Sequence, residues 1–432
     1  MSNLLAARAQ MAMSLGFHIV FAEIGIAMPA MMVIAEWLGR RTGDPTYRQL
    51  ARRWAKGVAI LFAVGAVSGT VLSFELGLLW PKFMEYAGAI IGIPFSLEGF
   101  AFFTEAIFLG VYLYGWDRIP AWTHQIAGVL VAVSGAASAV FVVMVNAWMN
   151  APAGITTVNG QITGIDALAG MQSPAAFAQV IHMLLAAYAS TGLAVAGIHA
   201  VLVLRGSTSA FHRHALAVSL LVGVPAAILQ PLAGDLEARV VARTQPVKLA
   251  ALEGQFETMR GAPLRIGGWP EEKASRTAFA IEIPRGLSLA AYGDANAEVR
   301  GLDAFPRADR PPVAPVHLAF QLMIALGTAM ALVGVWCAWA AWRSRELLSH
   351  RKLLRALVIV GPFGFIATEA GWIVTEVGRQ PWVVQGLLRT SDAVTPMPGL
   401  AIPFALFTAL YLMLAAVVVA LIRGQVRESR AT

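Results

Sequence analysis

MAMSLGFHIVFAEIGIAMPAMMVIAEW, residues 11–37, is an apolar run long enough to cross a lipid bilayer as one helix. A helix needs about 20 mostly apolar residues to span the hydrocarbon core. The run contains His18 and Glu23 and has no clear cleavage site, which is untypical of a secretory signal. It therefore predicts a membrane helix that is retained.

Eight further apolar runs follow in the chain. Of its 432 residues, 58% are hydrophobic and 13% charged, whereas soluble proteins average about 25% charged residues. Composition and run length together predict an all-α integral membrane protein with nine transmembrane helices. The eight runs are 55–79, 94–115, 122–148, 175–204, 215–233, 316–342, 353–377 and 399–422.

One segment is too polar for the membrane. Residues 234–315 hold eleven basic and eleven acidic residues. We therefore divide the chain into helices one to six (1–233), one long extracytoplasmic loop (234–315) and helices seven to nine (316–432).

Basic residues in short connections favour the cytoplasmic side. When the connections between nine spans are assigned alternately to the two sides of the membrane, seventeen basic residues, including Arg345, lie on one side and four on the other. The N-terminus and the long loop are thus predicted outside, and the C-terminus in the cytoplasm. The net charge of +7 comes mostly from this inner belt and indicates no nucleic acid partner. The four outer residues are Arg8, Lys82, Arg379 and Arg389.

Tryptophans lie at or near the ends of the predicted spans, where indoles favour the membrane interface. We expect them to act as interfacial anchors. They are Trp37, Trp54, Trp80, Trp116, Trp122, Trp148, Trp342 and Trp382.

Ionisable side chains inside spans are costly and often functional. These groups include six acids and no lysine or arginine. Either burial keeps the carboxyls neutral, or a positive species that is not an amino acid lies among them, such as a metal or protons in transit. Both interpretations indicate proton or electron chemistry. The residues are Glu23, Glu75, Glu98, Glu105, Glu369, Glu376, His18, His182 and His199.

Five side chains from five helices reach a similar depth below the outer surface. His18, His182 and Met323 are each about seven residues into their spans, and Glu98 and Glu376 lie near outer ends. A His/Met pair is typical of a six-coordinate electron-transferring haem. A lone buried histidine is as often a helix-to-helix hydrogen bond, and a methionine usually packs, so only the common depth favours a cofactor.

Other classes fit less well. Cys337 is the single cysteine, which excludes an intramolecular disulfide, a covalent C-x-x-C-H haem and a cysteine-held iron–sulfur cluster. A cytochrome b bundle would need histidine pairs on two helices, and a haem–copper oxidase would need a histidine cluster. A proton-coupled transporter using buried glutamates leaves the His/Met alignment unexplained, and a haem-free structural subunit explains hydrophobicity alone.

Several blocks together carry a family resemblance. The chain resembles subunit I of the cytochrome bd-type quinol oxidases over nearly its whole length, in a short-loop form like the cyanide-insensitive oxidases. The blocks are GFHIVFAEIG at 16–25, LSFELG at 72–77, LEGFAFFTEAIFLGVYLYGWDR at 97–118, NAWMN at 146–150, QPVKLAALEGQFET at 245–258 and GWIVTEVGRQPW at 371–382.

The resemblance implies three non-covalent haems. It makes His182 and Met323 the axial ligands of a low-spin haem b. His18 and Glu376 would each hold one of two high-spin haems, of which one is a haem b and the other is haem d or a second haem b.

The block at 371–382 adds further expectations. The resemblance places Trp372 in the cofactor site, and Arg379 can bond a haem propionate or Glu376. Gly378 is expected in the left-handed conformation that ends a helix.

The resemblance also implies proton and quinol sites. Glu98 and Glu105, on one helical face, resemble acids that pass protons to the oxygen site or stabilise its haem pair. Lys248 and Glu253 match a quinol-binding pair, in which a carboxylate beside a cation can accept a proton. Candidate cytoplasmic proton groups are Lys56, Asp117 and Ser138.

The function implied is a quinol:dioxygen oxidoreductase of the bacterial cytoplasmic (inner) membrane. It would oxidise quinol outside and reduce dioxygen with cytoplasmic protons, without pumping. A second large membrane subunit is implied as partner, and a small single-span one is compatible. One departure is Gln321, where well-known members carry arginine two residues before the haem-ligating methionine.

Overall fold

The computed structural model describes residues 1–158, 161–344 and 350–431. Within them lie nine helical segments long and apolar enough to cross a membrane, as the sequence predicts. Arg345, one of the seventeen basic residues counted above, lies outside the described residues. The helices are α1 (Asn3–Thr42), α2 (Pro45–Leu79), α3 (Pro81–Tyr114), α4 (Ala121–Asn150), α5 (Ala167–Met171), α6 (Ala176–Leu204), α7 (Ala210–Thr244), α8 (Pro246–Leu252), α9 (Gly286–Tyr292), α10 (Val313–Ser344), α11 (Arg351–Val360), α12 (Phe363–Val377), α13 (Thr390–Ala393) and α14 (Ala401–Ala431).

The strands are short and pair as antiparallel ribbons outside the spans. They are β1 (Ile155–Val158), β2 (Gln161–Ile165), β3 (Met259–Arg260), β4 (Leu264–Ile266), β5 (Trp269–Glu271), β6 (Arg276–Ala278), β7 (Ile281–Ile283), β8 (Glu298–Val299), β9 (Trp382–Val384) and β10 (Leu388–Arg389). The pairs are β1 with β2, β3 with β8, β4 with β7, β5 with β6 and β9 with β10.

The helices extend beyond the apolar runs that predict them. The first continues to Thr42, where Gly43 adopts a left-handed conformation and donates to the Gly39 carbonyl. The sixth span continues through the charged residues after position 233 to Thr244. Helical hydrogen bonding does not stop where hydrocarbon ends, so apolar length marks the membrane crossing and not the helix.

The eighth span is made of two helices, α11 and α12, separated by Gly361 and Pro362. Proline lacks a backbone N–H and cannot continue the α-helical hydrogen-bond pattern. The break lies within the span, between the 10 residues of α11 and the 15 residues of α12, so α12 reaches Glu376 as an uninterrupted helix.

Close helix packing depends on small residues. A Cβ at Gly192 of α6 would lie 2.6 Å from the Cα of Gly223 on α7, so the two backbones touch at this crossing. Between membrane helices, van der Waals packing and hydrogen bonds replace the hydrophobic effect, and small side chains permit this approach.

The segment between α7 and α10 folds over the helix ends as a compact cap. Leu249, Leu252 and Leu287 of this segment share a buried apolar cluster with Val316 of α10 and Val374 of α12. The cap therefore packs on the helices that carry Met323 and Glu376.

Three of the expected interfacial tryptophans are instead buried in the protein. Trp80, Trp116 and Trp148 are each less than a tenth exposed, and Trp148 donates to the Ala153 carbonyl at 3.0 Å. Position near a span end did not distinguish an indole facing lipid from one packed inward between helices.

Candidate functional site

Glu376 is held from two sides near the end of α12. Asn146 of α4 donates to its Oε1 atom at 2.6 Å, and Arg379 donates to its Oε2 atom at 2.5 Å. Arg379 is 2% exposed and the Glu376 side chain 30%. The arginine that the sequence placed near Glu376 thus bonds its carboxylate directly.

Gly378 differs from the expected helix cap. Its φ of −68° and ψ of −14° are right-handed, so the prediction of a left-handed residue here was wrong. A Cβ at this position would lie 2.3 Å from the Val374 carbonyl oxygen and 3.2 Å from Cγ of Lys248. The glycine therefore makes room for the lysine stem and does not serve a left-handed turn.

Lys248 belongs to α8 of the cap, and its side chain points into the helices. Its Nζ atom donates to Oδ1 of Asn150 at 2.6 Å and to the carbonyl of Thr375 at 3.3 Å. Burial lowers the pKa of Lys248 to about 7, and the nearby Arg379 guanidinium acts in the same direction. The block 146–150 was noticed in the sequence, but the roles of its two asparagines were missed.

Glu253 faces a different neighbourhood. It is buried, and among the described residues its Oε2 atom has no hydrogen-bond partner. Burial raises the pKa of Glu253 to about 8, an effect that the Arg265 guanidinium opposes. Of the ion pairs in the described part of the chain, none joins Lys248 to Glu253.

His18 lies on α1 against α2. Its Nδ1 atom is 2.9 Å from the Ser68 hydroxyl, which orients the ring. A Cβ at Gly69 would lie 3.0 Å from the ring carbon Cε1. Within the described residues, no hydrogen bond engages Nε2 of His18, so this nitrogen is available as a ligand atom.

His182 and Met323 lie on α6 and α10. Gln230 of α7 donates to the His182 carbonyl at 3.1 Å, and its Nε2 atom is 3.3 Å from both ring nitrogens. A Cβ at Gly371 of α12 would lie 3.1 Å from the Met323 sulfur. His182 therefore packs against α7 beside the Gln230 amide, and Met323 packs against α12 beside Gly371.

Trp372 lies on α12 between these groups in sequence and is partly buried. It is next to Gly371, which faces the Met323 sulfur, and four residues before Glu376. Its place on α12 is compatible with either cofactor position.

Glu98 and Glu105 both face α4. Ser138 donates to Oε1 of Glu98 at 3.0 Å. A Cβ at Gly135 would lie 3.2 Å from Oε1 of Glu105. The two acids and Ser138 thus lie along the α3–α4 contact.

The other two candidate proton groups are on the surface. Lys56 is exposed. Asp117, also exposed, bonds Arg48 at 2.5 Å and Arg52 at 3.2 Å. The structure therefore brings Ser138 to Glu98 but engages Asp117 with arginines that sequence reasoning did not consider.

Three further acids within the spans were singled out from the sequence. Gln10 and Ser14 both donate to Oε1 of Glu75 at 2.9 Å. Neither carboxylate oxygen of Glu23 has a hydrogen-bond partner in the described structure, and the same holds for Oε1 of Glu369. These acids lie in the spans away from the Glu376 network.

The cap is attached to α10 by residues whose roles the sequence did not reveal. Gln321 accepts from the Gly267 backbone N–H at 2.9 Å and donates to the Arg265 carbonyl at 3.0 Å. His317, fully buried, lies 2.7 Å from the Leu252 carbonyl. Such pairs join residues 54 to 65 positions apart, beyond any local pattern.

The site residues fit anionic, planar cofactors such as haems. Nε and Nη1 of Arg379 are buried without a partner in the described residues, and leaving such donors unpaired is costly. A carboxylate from a bound group, such as a propionate, would satisfy them. The glycines beside His18 and Met323 let these two candidate ligands pack closely against neighbouring helices.

Comparisons with known proteins agree on one family. The model described as cytochrome bd terminal oxidase subunit I matches residues 6–430. A putative cytochrome bd menaquinol oxidase subunit I of Bacillus subtilis (strain 168) is 38% identical over 97% of this chain and 95% of its own. A cytochrome bd ubiquinol oxidase subunit 1 of the same organism is 30% identical over 99% and 94%. The solved structure of the bd oxidase from Geobacillus thermodenitrificans superposes with a TM-score of 0.92 at 38% identity, covering 99% of this chain and 98% of that one.

Proposed function

Because the chain belongs to the cytochrome bd terminal oxidase subunit I family, we propose that it is the haem-holding subunit of a quinol:dioxygen oxidoreductase that oxidises quinol at the outer face and forms water. The observation that carries this proposal is the buried Arg379, which bonds Glu376 and keeps two N–H donors unpaired among the described residues. That arrangement suits a ligand carboxylate beside an anionic cofactor.

The cofactor residues are assigned as the family resemblance implies. His182 and Met323 would hold a low-spin haem b, while His18 and Glu376 would each hold a high-spin haem. One of these is a haem b and the other a haem d or a second haem b, with Trp372 beside them. When bound, haems supply electron transfer and dioxygen binding.

Residues 234–315 are proposed as the extracytoplasmic quinol-binding loop. Glu253 is its proton acceptor, because a carboxylate there can take the proton that a hydroquinone releases as its electrons leave. Glu253 is buried within the cap, which keeps water from competing for the proton. Lys248, five residues earlier, contributes the cation of the quinol-binding pair.

Proton delivery is assigned to the α3–α4 contact. Glu98 and Glu105 would carry protons toward the oxygen site, and the Ser138 hydroxyl holds Glu98 in place. Lys56 and Asp117 are proposed at the cytoplasmic mouth. Release of quinol protons outside and uptake of protons inside would store energy without pumping.

The membrane location and the partner subunits are inferred from the same family. We propose a multi-pass protein of the bacterial cytoplasmic membrane, with the N-terminus outside and the C-terminus in the cytoplasm. A second large membrane subunit is the proposed partner, and a small single-span subunit would complete the assembly.

Reduced-minus-oxidised spectra of the purified complex, with quinol-driven oxygen consumption, test this function. Low-spin and high-spin haem bands with quinol-dependent consumption are expected. Absence of haem bands would overturn the oxidase assignment: proton flux in vesicles would then indicate a transporter, and no flux a structural subunit. Haem extraction with mass analysis counts the cofactors and distinguishes a chlorin from protohaem.

A further inference from the structure

Lys248 of the cap and Glu376 of α12 are joined by two asparagines of α4. The Lys248 ammonium donates to Oδ1 of Asn150 at 2.6 Å. Asn150 Nδ2 in turn donates to Oδ1 of Asn146 at 2.9 Å, and Asn146 Nδ2 donates to the Glu376 carboxylate at 2.6 Å. All three bonds run in the same donor-to-acceptor direction.

The direction of this chain is fixed at both ends. A lysine ammonium has only donors and an ionised carboxylate only acceptors, whereas an asparagine amide presents either an oxygen or an NH₂ group. With Lys248 at one end and Glu376 at the other, only one orientation of each amide satisfies every partner. Without the lysine, the Asn150 amide could turn and present its oxygen to Oδ1 of Asn146, which needs a donor. The second bond of Asn150 Nδ2, to the Asn146 carbonyl at 2.9 Å, would be lost with it.

The network is enclosed by protein from Lys248 to Asn146, and only the Glu376 side chain at its end is partly exposed, by 30%. Lys248 is 3% exposed, Asn150 1% and Asn146 9%. The lysine stem packs against Gly378, and its amine also bonds the carbonyl of Thr375, the residue before Glu376. Water therefore has little access with which to replace a missing bond.

We propose that Lys248 is a positioning residue for Glu376. Through Asn150 and Asn146, Lys248 orients the Glu376 carboxylate between an amide donor and Arg379. This inference rests on the proposed function, in which Glu376 holds a haem. The two members of the proposed quinol pair have different surroundings. Glu253 has its neighbours within the cap, whereas Lys248 has its hydrogen-bond partners in the helices.

The test replaces Lys248 by methionine, which keeps the stem and removes the donors. In the purified complex, Lys248→Met should shift the band position and midpoint potential of the high-spin haem that Glu376 holds. The low-spin signal of His182 and Met323 should not move. Asn150→Leu should produce the same shift, and the double variant should shift no further, because both changes break one chain.

Two controls separate this role from others. Lys273→Met, on an exposed turn of the cap, should leave both signals unchanged. Glu253→Gln should slow quinol oxidation with unchanged spectra.

Other outcomes would contradict the positioning role of Lys248 or the proposed function. A raised KM for quinol in Lys248→Met, with an unshifted high-spin signal, would overturn the positioning role. If Lys248→Met does not assemble, Asn150→Leu decides by the same spectral criterion. A native complex without haem would overturn the proposed function itself, which is a distinct result.

Discussion

The guanidinium of Arg379 lies 2.5 Å from the carboxylate of Glu376, three residues earlier in the chain, and two of its other donors are buried without a partner in the described structure. A single side chain thus supports a candidate ligand and keeps donors for another anion. The contact with Glu376 and the two unpaired donors together indicate that a second anion would bind beside this carboxylate.

Arg379→Gln should therefore release the cofactor that Glu376 holds. The change leaves the Glu376 carboxylate without its cation and removes the donors suited to a propionate. Loss of such a supporting group typically costs about 10- to 100-fold in affinity. The measurement is the ratio of extracted haem to protein in the purified complex. Arg276→Gln removes an exposed ion pair with Glu271 and should leave the ratio unchanged; an undiminished ratio in Arg379→Gln would contradict the role.

His182→Ala should delete the low-spin haem signal while high-spin signals remain. The control is His199→Ala on the same helix, because His199 is also buried but lies 3.1 Å from His212 and not near Gln230. Difference spectra of the two variants make the comparison. Retention of the low-spin band in His182→Ala, or its loss in His199→Ala, would show that the ligand is assigned to the wrong residue.

The membrane architecture was predictable because a fixed hydrocarbon thickness imposes a length on every apolar run. The helix ends were not, since α7 continues past the membrane through Asp235 and Arg239, which bond each other at 2.8 Å. Local sequence also gave Gly378 the wrong conformation. A side chain there would meet the Val374 carbonyl and the Lys248 stem, of which the second belongs to a distant segment.

The candidate site was predictable as a set of residues but not as a network. His18, Glu376 and Arg379 are recognisable from motifs and depth. The contact between Lys248 and Asn150 joins positions 98 apart, and no periodicity within one helix shows which amide accepts from which amine. Lys248 and Glu253 looked like one pair in the sequence because they are near neighbours there.

Gln321 should stabilise the cap. Its side chain bonds the backbone at Arg265 and Gly267, and Gln321→Ala leaves both groups unpaired at a cost of about 1–3 kcal/mol. Faster proteolysis of the cap and a higher KM for quinol are expected. Gln321→Glu keeps the acceptor for Gly267 and should lie between wild type and alanine. A cap as resistant in Gln321→Ala as in wild type would contradict this attachment.

Glu105→Gln should slow oxygen reduction, because the amide cannot pass a proton. Loss of a positioned proton-transfer group typically costs about 100-fold or more. Ser138→Ala removes one hydrogen bond from Glu98, worth about 1 kcal/mol, and should slow the same step less than tenfold. Oxygen consumption at saturating quinol measures both. Equal rates in Glu105→Gln and wild type would remove the acid from the proton route.

Glu253 produces a pH dependence whose direction follows from its burial. The pKa of its carboxyl rises from 4.5 to about 8, so at neutral pH the folded protein keeps a proton that the unfolded chain has released. Its contribution to stability is fully present below 4.5 and is lost as pH rises through about 8. Proton acceptance has the opposite trend, because only the ionised carboxylate can take a proton from a hydroquinone.

Quinol oxidation should therefore accelerate, and the cap should become easier to unfold, as pH rises through about 8. Steady-state rates and thermal unfolding of the purified complex, measured over neutral to alkaline pH, follow the two trends separately. Glu253→Gln has no titrating group at this position, so both trends should flatten, with a low rate throughout. A wild-type rate that falls through this range, or a glutamine variant with the same rising profile, would assign the proton acceptor to another group.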